Sequence, residues 1–255
     1  MSGRLVVEDL SIMFGGVHAV EEVSFSVEPG ETFAIIGPNG AGKSTIFNLI
    51  SRLYEPSAGS IRYGDHDLLK MPAHEVVRTG IARTFQNIEL FENATVLQNL
   101  LVGRHCHAPA NPFTSFAFLP PVKRAELEHR QKVEDVIDLL EIAQYRDERI
   151  SDLPYGARKN VELARALCAE PTMLLLDEPA SGLNNEETDD VGFWLEDIKH
   201  DLGVTLVMVE HDMGLVGQVA DRVMAINDGR LLAIGTPDEV RENREVQEAY
   251  LGVTE

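Results

Sequence analysis

The sequence predicts an α/β fold with an inserted helical segment. Two apolar runs, "TMLLLDEP" and "VTLVMVEHD", end in acidic residues and flank a helical pattern of about 15 residues that starts near Glu186. A third apolar run, "TFAIIG", leads into a glycine-rich loop and a further helical pattern. Residues from about 88 to 152 read as mostly helical. Since strand–helix–strand units build parallel sheets, we expect a buried parallel sheet whose polar side chains gather where its strands end.

The remaining elements follow from shorter patterns. In the first third of the chain, "RLVVEDL", "EVSFSV", "GSIRYGD" and "GIARTFQN" read as strands or turns, and "GKSTIFNLISRL" has helical spacing. Residues 123–141 form an amphipathic helix, and another begins within residues 151–170. The apolar faces expected for these two helices are Val133, Val136, Ile137 and Leu140 in the first, and Val161, Ala164, Leu167 and Cys168 in the second.

Composition excludes several classes of protein. Of 255 residues, 44% are hydrophobic and 25% charged, as in ordinary globular domains. The net charge of −20 disfavours direct binding to nucleic acid or to anionic lipid, so we expect any membrane contact to run through a protein partner. We find no apolar run near the roughly 20 residues of a membrane-spanning helix and no signal-peptide core. The two cysteines, Cys106 and Cys168, suggest neither a disulfide framework nor a metal site, which favours a reducing cytosol.

The stretch "GPNGAGKST", residues 37–45, matches the full phosphate-binding pattern G-x-x-x-x-G-K-[ST]. It stands between a strand and a helix, which is the context that this motif requires. Its glycines let successive backbone N–H groups point inward, where they and the helix N-terminus bind phosphate oxygens. Lys43 can reach the β- and γ-phosphates, and the hydroxyl of Ser44 can bind Mg²⁺.

Three polar positions follow apolar strands. Asp177 and Glu178 end the run "MLLL", where the aspartate can hold Mg²⁺ opposite the phosphate loop and the glutamate can polarise a water for attack on the γ-phosphate. His211 follows the next strand and can hydrogen-bond the γ-phosphate and orient that water. Gln86, in "ARTFQN", can contact both the metal and the water. We expect these side chains to meet at one edge of the sheet.

The order of these motifs resembles the nucleotide-binding subunit of ATP-binding cassette (ABC) transporters. "GPNGAGKST", Gln86, "LPYGA", "MLLLDEP", "SGLN" and His211 follow one another as in that family, and the resemblance covers essentially the whole chain. It implies a RecA-like P-loop NTPase core, an antiparallel β subdomain and an inserted α-helical subdomain. It also implies ATP and Mg²⁺ as cofactors and ATP hydrolysis as the activity.

The resemblance also assigns roles to residues. Phe14 stands where the family stacks an aromatic ring on adenine, and Tyr155 and Gly156 stand in the signature that contacts ATP held by a second subunit. The expected catalytic residues are Glu178, His211 and Gln86, the expected metal ligands are Ser44, Gln86 and Asp177, and the expected nucleotide-binding residues are Phe14, Gly37, Pro38, Asn39, Gly40, Ala41, Gly42, Lys43, Ser44, Thr45, Tyr155 and Gly156.

Within the family the chain looks most like the ATPases of branched-chain amino acid importers, because "GIARTFQNIELF", "LPYG", "SGLN" and "GTPDEV" are similar to that group. Pro154 and Tyr155 replace the serine and first glycine of the usual signature, which removes a hydroxyl donor but keeps a helix N-terminus that favours an anion. Ala157 stands where the family usually has glutamine, and Asn184 where many cassettes have aspartate. We interpret the signature as a working variant.

We expect one ABC ATPase domain over residues 1–255, with residues 1–87 and 153–255 forming the core and β subdomain and residues 88–152 the helical subdomain. The implied function is to energise uptake of branched-chain amino acids or a related small polar solute. The implied partners are a second ATPase subunit, identical or different, two transmembrane permeases and a solute-binding protein, which place the chain on the cytoplasmic face of the membrane. An exporter ATPase for lipid or lipopolysaccharide, and a soluble cassette ATPase acting on nucleic acid or ribosomes, are the alternatives.

The segment 104–123 is longer than an ordinary connection and contains four prolines and three phenylalanines but no acidic residue. Its apolar side chains either pack on the helical subdomain as a small satellite core or form a docking surface for a membrane subunit. Both interpretations stay open at this point.

Overall fold

The computed structural model of the protein describes residues 3–86, 88–107 and 120–251. The centre of the predicted loop, residues 108–119 with its phenylalanines, lies outside the described residues. The chain divides into two units, one formed by residues 1–86 together with 172–255 and the other by residues 87–171. Within the described residues, no helix is long and apolar enough to cross a bilayer.

The first unit contains every strand of the described residues, and the described helices are divided between the two units. The strands are β1 Leu5–Phe14, β2 Val17–Val27, β3 Thr32–Ile36, β4 Ala58–Tyr63, β5 His66–Asp67, β6 Ile81–Arg83, β7 Met173–Asp177, β8 Thr205–Val209, β9 Arg222–Asn227 and β10 Arg230–Gly235. The α-helices of the whole described chain are α1 Lys43–Ile50, α2 Ala73–Val76, α3 Val96–Gly103, α4 Pro120–Leu139, α5 Tyr155–Leu167, α6 Asn185–Leu202, α7 Met213–Val219, α8 Pro237–Glu242 and α9 Arg244–Leu251. Short 3₁₀ turns lie at Leu68–Lys70, Val77–Thr79, Arg104–His107, Ala143–Tyr145 and Ile150–Asp152.

Two sheets form the first unit. The larger sheet has the strand order β10-β9-β3-β8-β7-β6, in which β10 pairs antiparallel with β9 and the other neighbours are parallel. The smaller sheet is antiparallel, in the order β2-β1-β4-β5. Both sheets and α1 share one apolar core, in which the rings of Phe25 and Phe33 stack at 5.5 Å between centroids. The predicted α/β class with an antiparallel β subdomain is confirmed.

The central strands explain where polar side chains collect. Every residue of β3, β7 and β8 is buried, as expected for strands covered on both faces. A strand of this kind can carry polar groups only where it ends. The parallel order therefore brings the carboxyl ends of β3, β6, β7 and β8 to one edge of the larger sheet. The phosphate loop, Gln86, Asp177 and His211 lie at or just after these ends.

The second unit is helical. The predicted faces of α4 and α5 are confirmed, since Val133, Ile137, Val161 and Ala164 are fully or almost fully buried. The sequence placed residues 153–171 with the core, whereas they belong to the second unit, because α5 packs closely on α3. A Cβ on Gly103 of α3 would lie 2.3 Å from the carbonyl oxygen of Arg165 in α5, so only glycine permits this approach.

Candidate nucleotide site

The phosphate loop leaves the end of β3 and enters α1 at Lys43, with Gly42 as the helix N-cap. Gly42 has a φ of 102°, and a Cβ there would lie 2.4 Å from the carbonyl oxygen of Ala19 in β2. A Cβ on Gly37 would lie 2.2 Å from the carbonyl oxygen of Ile226 in β9. Because the backbone of both strands approaches the loop this closely, only glycine fits at positions 37 and 42.

Lys43 lies inside the loop that precedes it. Its Nζ donates to the carbonyl oxygens of Gly37 at 2.6 Å and Pro38 at 2.9 Å, and the residue is only 7% exposed. Burial lowers the pKa of Lys43, while the nearby carboxylates of Glu178 and Asp177 partly oppose that shift. The ammonium group therefore stands between the phosphate loop and the two carboxylates at the end of β7, where it can bind phosphate oxygens.

Asp177 is the last residue of β7 and is 3% exposed. Its Oδ2 accepts a hydrogen bond from Arg83 Nη2 at 2.8 Å, whereas its Oδ1 is buried and has no hydrogen-bond partner among the described residues. Unpartnered buried carboxylate oxygens are costly, and hard cations such as Mg²⁺ prefer oxygen ligands. Together with the half-buried hydroxyl-bearing Ser44 at the start of α1, Asp177 fits a magnesium site.

Glu178 and Gln86 are brought together. Gln86 Nε2 donates to Glu178 Oε2 at 3.1 Å, so the side chain after β6 reaches the one after β7. Glu178 has a φ of 50°, in the left-handed region that costs a non-glycine residue free energy. Such strain is concentrated at functional sites. The backbone turns sharply at Glu178, and its N–H donates to the carbonyl oxygen of Val209 in β8 at 2.9 Å.

His211 follows β8, and its side chain is 59% exposed. The residue before it, Glu210, is completely buried. One oxygen of Glu210 accepts from the N–H of Ala180 at 2.9 Å, and the other accepts from the N–H of His211 at 2.9 Å. A single buried carboxylate thus ties the loop after β7 to the loop that carries the histidine.

Phe14 ends β1, at the tip of the β1–β2 hairpin, and is 46% exposed. Its ring contacts Tyr54 edge to face, with 5.2 Å between the centroids, and Tyr54 is 40% exposed. An aromatic pair of this kind leaves a large apolar surface open to a planar ligand such as a base.

The comparison with protein families agrees with this geometry. The model described as "ABC transporter" matches residues 20–181, more than half of the chain. The chain belongs to the ABC transporter family. A second model, described as "Branched-chain amino acid ATP-binding cassette transporter", matches residues 230–255.

Relatives of the cassette cover nearly its whole length. The high-affinity branched-chain amino acid transport ATP-binding protein BraF of Pseudomonas aeruginosa is 38% identical, over 97% of this chain and 97% of its own. The corresponding protein LivG of Escherichia coli is 37% identical over the same shares. A solved structure of the ADP conformation of an ATP-binding cassette of an ABC transporter is 30% identical, with a TM-score of 0.85 and coverage of 99% of each chain.

The signature of the cassette lies in the second unit. Pro154 is the N-cap of α5 and makes no side-chain capping bond, and the helix begins at Tyr155, whose side chain is 48% exposed. Gly156 and Ala157, in the first turn, are buried. The first turn of α5 contains no acidic residue, so its N-terminus keeps the partial positive charge that favours an anion.

Asn184 has a local role that the sequence analysis did not foresee. It caps α6: its Oδ1 accepts from the N–H of Glu187 at 3.0 Å, and its own N–H donates to Glu187 Oε2 at 2.9 Å. Asparagine and aspartate cap helices equally well, so this replacement preserves the start of α6.

Sequence reasoning missed two charged residues of the site, Arg83 and Glu210. Each had a signal, because a charged residue at the end of an apolar strand requires a buried partner. The patterns "GIARTF" and "VMVEH" both showed such a residue. Only the fold identifies the partners of these two residues. Arg83 pairs with Asp177, and Glu210 accepts from the backbone of Ala180 and His211.

Proposed function

We propose that this chain is the ATP-binding and ATP-hydrolysing subunit of an importer for branched-chain amino acids or a related small polar solute. The observation that carries the proposal is the meeting of the phosphate loop, Asp177 and the Gln86–Glu178 pair at one sheet edge. The names of BraF and LivG support the importer and the solute class, and the match over residues 230–255 supports the same group. These relatives favour the importer over the exporter alternative.

In this proposal the phosphate loop and Lys43 hold the β- and γ-phosphates, and Ser44 and Asp177 hold Mg²⁺. When bound, Mg²⁺ neutralises charge on the phosphate oxygens and thereby favours attack at the γ-phosphorus. Glu178 accepts a proton from the attacking water, and Gln86, 3.1 Å from Glu178, helps to orient that water. His211 is proposed to contact the γ-phosphate.

In this proposal a second cassette completes each ATP site. Two cassettes bind head to tail, and the N-terminus of α5 with Tyr155 and Gly156 contacts ATP held by the other subunit. Closure around ATP and reopening after hydrolysis drive two permease subunits, and a solute-binding protein delivers the solute. The second cassette is either a copy of this chain or a different ATPase. The chain then acts at the cytoplasmic face of the membrane.

The first test separates binding from hydrolysis. We expect Lys43→Ala to weaken ATP binding, because the loop loses its only side-chain cation. We expect Glu178→Gln to keep ATP binding, to trap an ATP-bound dimer and to lose about 10²–10⁴-fold in hydrolysis rate. Binding is measured by calorimetry, hydrolysis by phosphate release and dimerisation by size-exclusion chromatography with MgATP.

A matched control for the glutamate is Glu141→Gln. Glu141 also has a positive φ, 53°, but it is exposed and lies in the second unit. We expect this variant to hydrolyse ATP at the wild-type rate. Wild-type hydrolysis in Glu178→Gln would refute its role as the base. Co-purification of the chain with two polytopic subunits and a solute-binding protein tests the importer assignment, and their absence from a complex that moves lipid would favour the exporter.

A further inference from the structure

Arg83 connects three parts of the first unit. It ends β6, three residues before Gln86, and its side chain is 9% exposed. Nη2 donates to Asp177 Oδ2 at 2.8 Å. Nη1 donates to Asn48 Oδ1 at 2.8 Å and to Ser51 Oγ at 3.1 Å, at the far end of α1. One planar group thus joins the end of β6, the end of β7 and the helix that follows the phosphate loop.

Two aromatic rings fix the plane of this group. The guanidinium carbon of Arg83 lies 5.5 Å from the ring centroid of Phe47 and 5.2 Å from that of Phe85. Phe47 is completely buried in the core. A lysine ammonium would supply the charge but neither the fork that reaches Asn48 and Asp177 together nor the flat surface that these rings contact.

The contacts of Arg83 determine the orientation of the Asp177 carboxylate. With Oδ2 held by Arg83, the carboxylate keeps a single orientation, and the oxygen left over is the buried Oδ1 that has no partner among the described residues. Groups that hydrogen-bond a metal ligand fix its orientation, and their loss typically costs about 10–100-fold in metal affinity or activity.

We propose that Arg83 is a positioning residue for the divalent cation, holding Asp177 so that Oδ1 remains available as the metal ligand. The inference rests on the proposed function, since it concerns the same Mg²⁺·ATP site. It adds a residue that contacts neither nucleotide nor metal and acts through Asp177. It also couples the metal site to Gln86, because Arg83 and Gln86 belong to the same segment.

A purely structural role for Arg83 makes a different prediction, and the chain contains a matched ion pair that separates the two. Arg222 donates to Glu31 Oε1 at 3.0 Å, Glu31 is 8% exposed, and the guanidinium carbon of Arg222 lies 5.4 Å from the ring centroid of Phe33. This pair lies in the same unit and has a similar stacking contact. It involves none of the proposed metal ligands, so Arg222→Met measures the cost of losing an arginine that pairs with a buried carboxylate and contacts a ring, with its own side chain 36% exposed.

The experiment compares Arg83→Met, Arg83→Lys and Arg222→Met with wild type. Mn²⁺ binding is measured by electron paramagnetic resonance in the presence of a saturating non-hydrolysable ATP analogue, and analogue affinity is measured separately in EDTA. We expect Arg83→Met to raise the dissociation constant for Mn²⁺ about tenfold or more while analogue affinity in EDTA stays unchanged. Arg83→Lys should lose a smaller factor, and Arg222→Met should bind Mn²⁺ as wild type does.

Wild-type Mn²⁺ affinity in a folded Arg83→Met protein overturns the proposal, and so does an equal loss in Arg222→Met. If Arg83→Met fails to fold, Arg83→Lys decides, because its retained charge keeps Asp177 compensated, and wild-type Mn²⁺ affinity in that variant overturns the proposal. A wild-type protein that does not bind the analogue at all overturns the proposed function, and this inference with it.

Discussion

The left-handed backbone at Glu178 predicts that the residue proposed as the catalytic base destabilises the fold. Its φ is 50°, and a residue with a Cβ pays about 1–2 kcal/mol in this region. Glycine escapes that cost but loses about 0.5–1 kcal/mol more conformational entropy on folding. The difference leaves glycine ahead of alanine by about 1 kcal/mol at position 178.

Glu178→Ala and Glu178→Gly are the pair to compare. Both remove the side chain that accepts from Gln86, so the loss of that hydrogen bond cancels between them. We expect the glycine variant to melt higher by about 2–4 °C, the shift that about 1 kcal/mol produces in a chain of this size. Both variants should lack ATP hydrolysis, so the difference in stability between them is not accompanied by a difference in activity.

Asp197 supplies the reference, because it is exposed and lies inside α6 with ordinary helical geometry. There we expect the reverse order, with Asp197→Gly less stable than Asp197→Ala by about 1 kcal/mol. Thermal melting and urea denaturation of the four variants measure both differences. If alanine is as stable as glycine at position 178, or more stable, the backbone there is not strained and the reasoning fails.

Two further predictions concern the second unit. We expect Gly156→Asp to leave the ATP affinity of the monomer intact and to abolish ATP-dependent dimerisation in size-exclusion chromatography, because it adds a negative charge at the N-terminus of α5, which is proposed to contact the γ-phosphate held by the partner. Dimers at wild-type protein concentration would contradict this. Arg146 Nε donates to both oxygens of Glu134 at 3.0 Å, and this pairing lowers the pKa of Glu134. A carboxylate with a lowered folded pKa contributes stability above its unfolded pKa and loses it as the pH falls through the folded value. We therefore expect Glu134→Gln to reduce the melting temperature modestly at neutral pH and the difference to shrink and vanish in a melting series as the pH falls through the lowered pKa of Glu134, whereas a difference independent of pH would show that the charge is not involved.

The parts of the fold that local pattern dictates were predictable from the sequence. The strand, loop and helix around Lys43 were predictable because the glycine spacing and the preceding apolar run specify one backbone path. The buried faces of α4 and α5 were predictable because the period of the apolar residues shows which side of a helix is apolar. Periodicity does not reveal which surface that side meets. For this reason the sequence left α5 with the core, whereas α5 packs on α3 through Gly103.

Polar pairs between distant parts of the chain were not predictable, because sequence patterns do not show which elements lie side by side. The sequence showed Arg83 and Asp177 as separate charged residues at strand ends, 94 positions apart, and only the adjacency of β6 and β7 brings them to 2.8 Å. The left-handed conformation of Glu178 was equally hidden, since glutamate gives no local signal for it. The catalytic role of His211, whose ring is exposed, remains a prediction.

The strand order of the larger sheet fixes the distance between the ends of β3 and β7. The strand that leads to the phosphate loop and the strand that ends in Asp177 are not neighbours, because β8 lies between them. Two interstrand spacings of about 4.8 Å therefore separate their ends by roughly 10 Å. That width is set by backbone hydrogen bonds, so no side-chain substitution in the loop or at Asp177 can close it. The sheet therefore fixes the distance that any ligand bound at both strand ends must bridge, whatever side chains line the site.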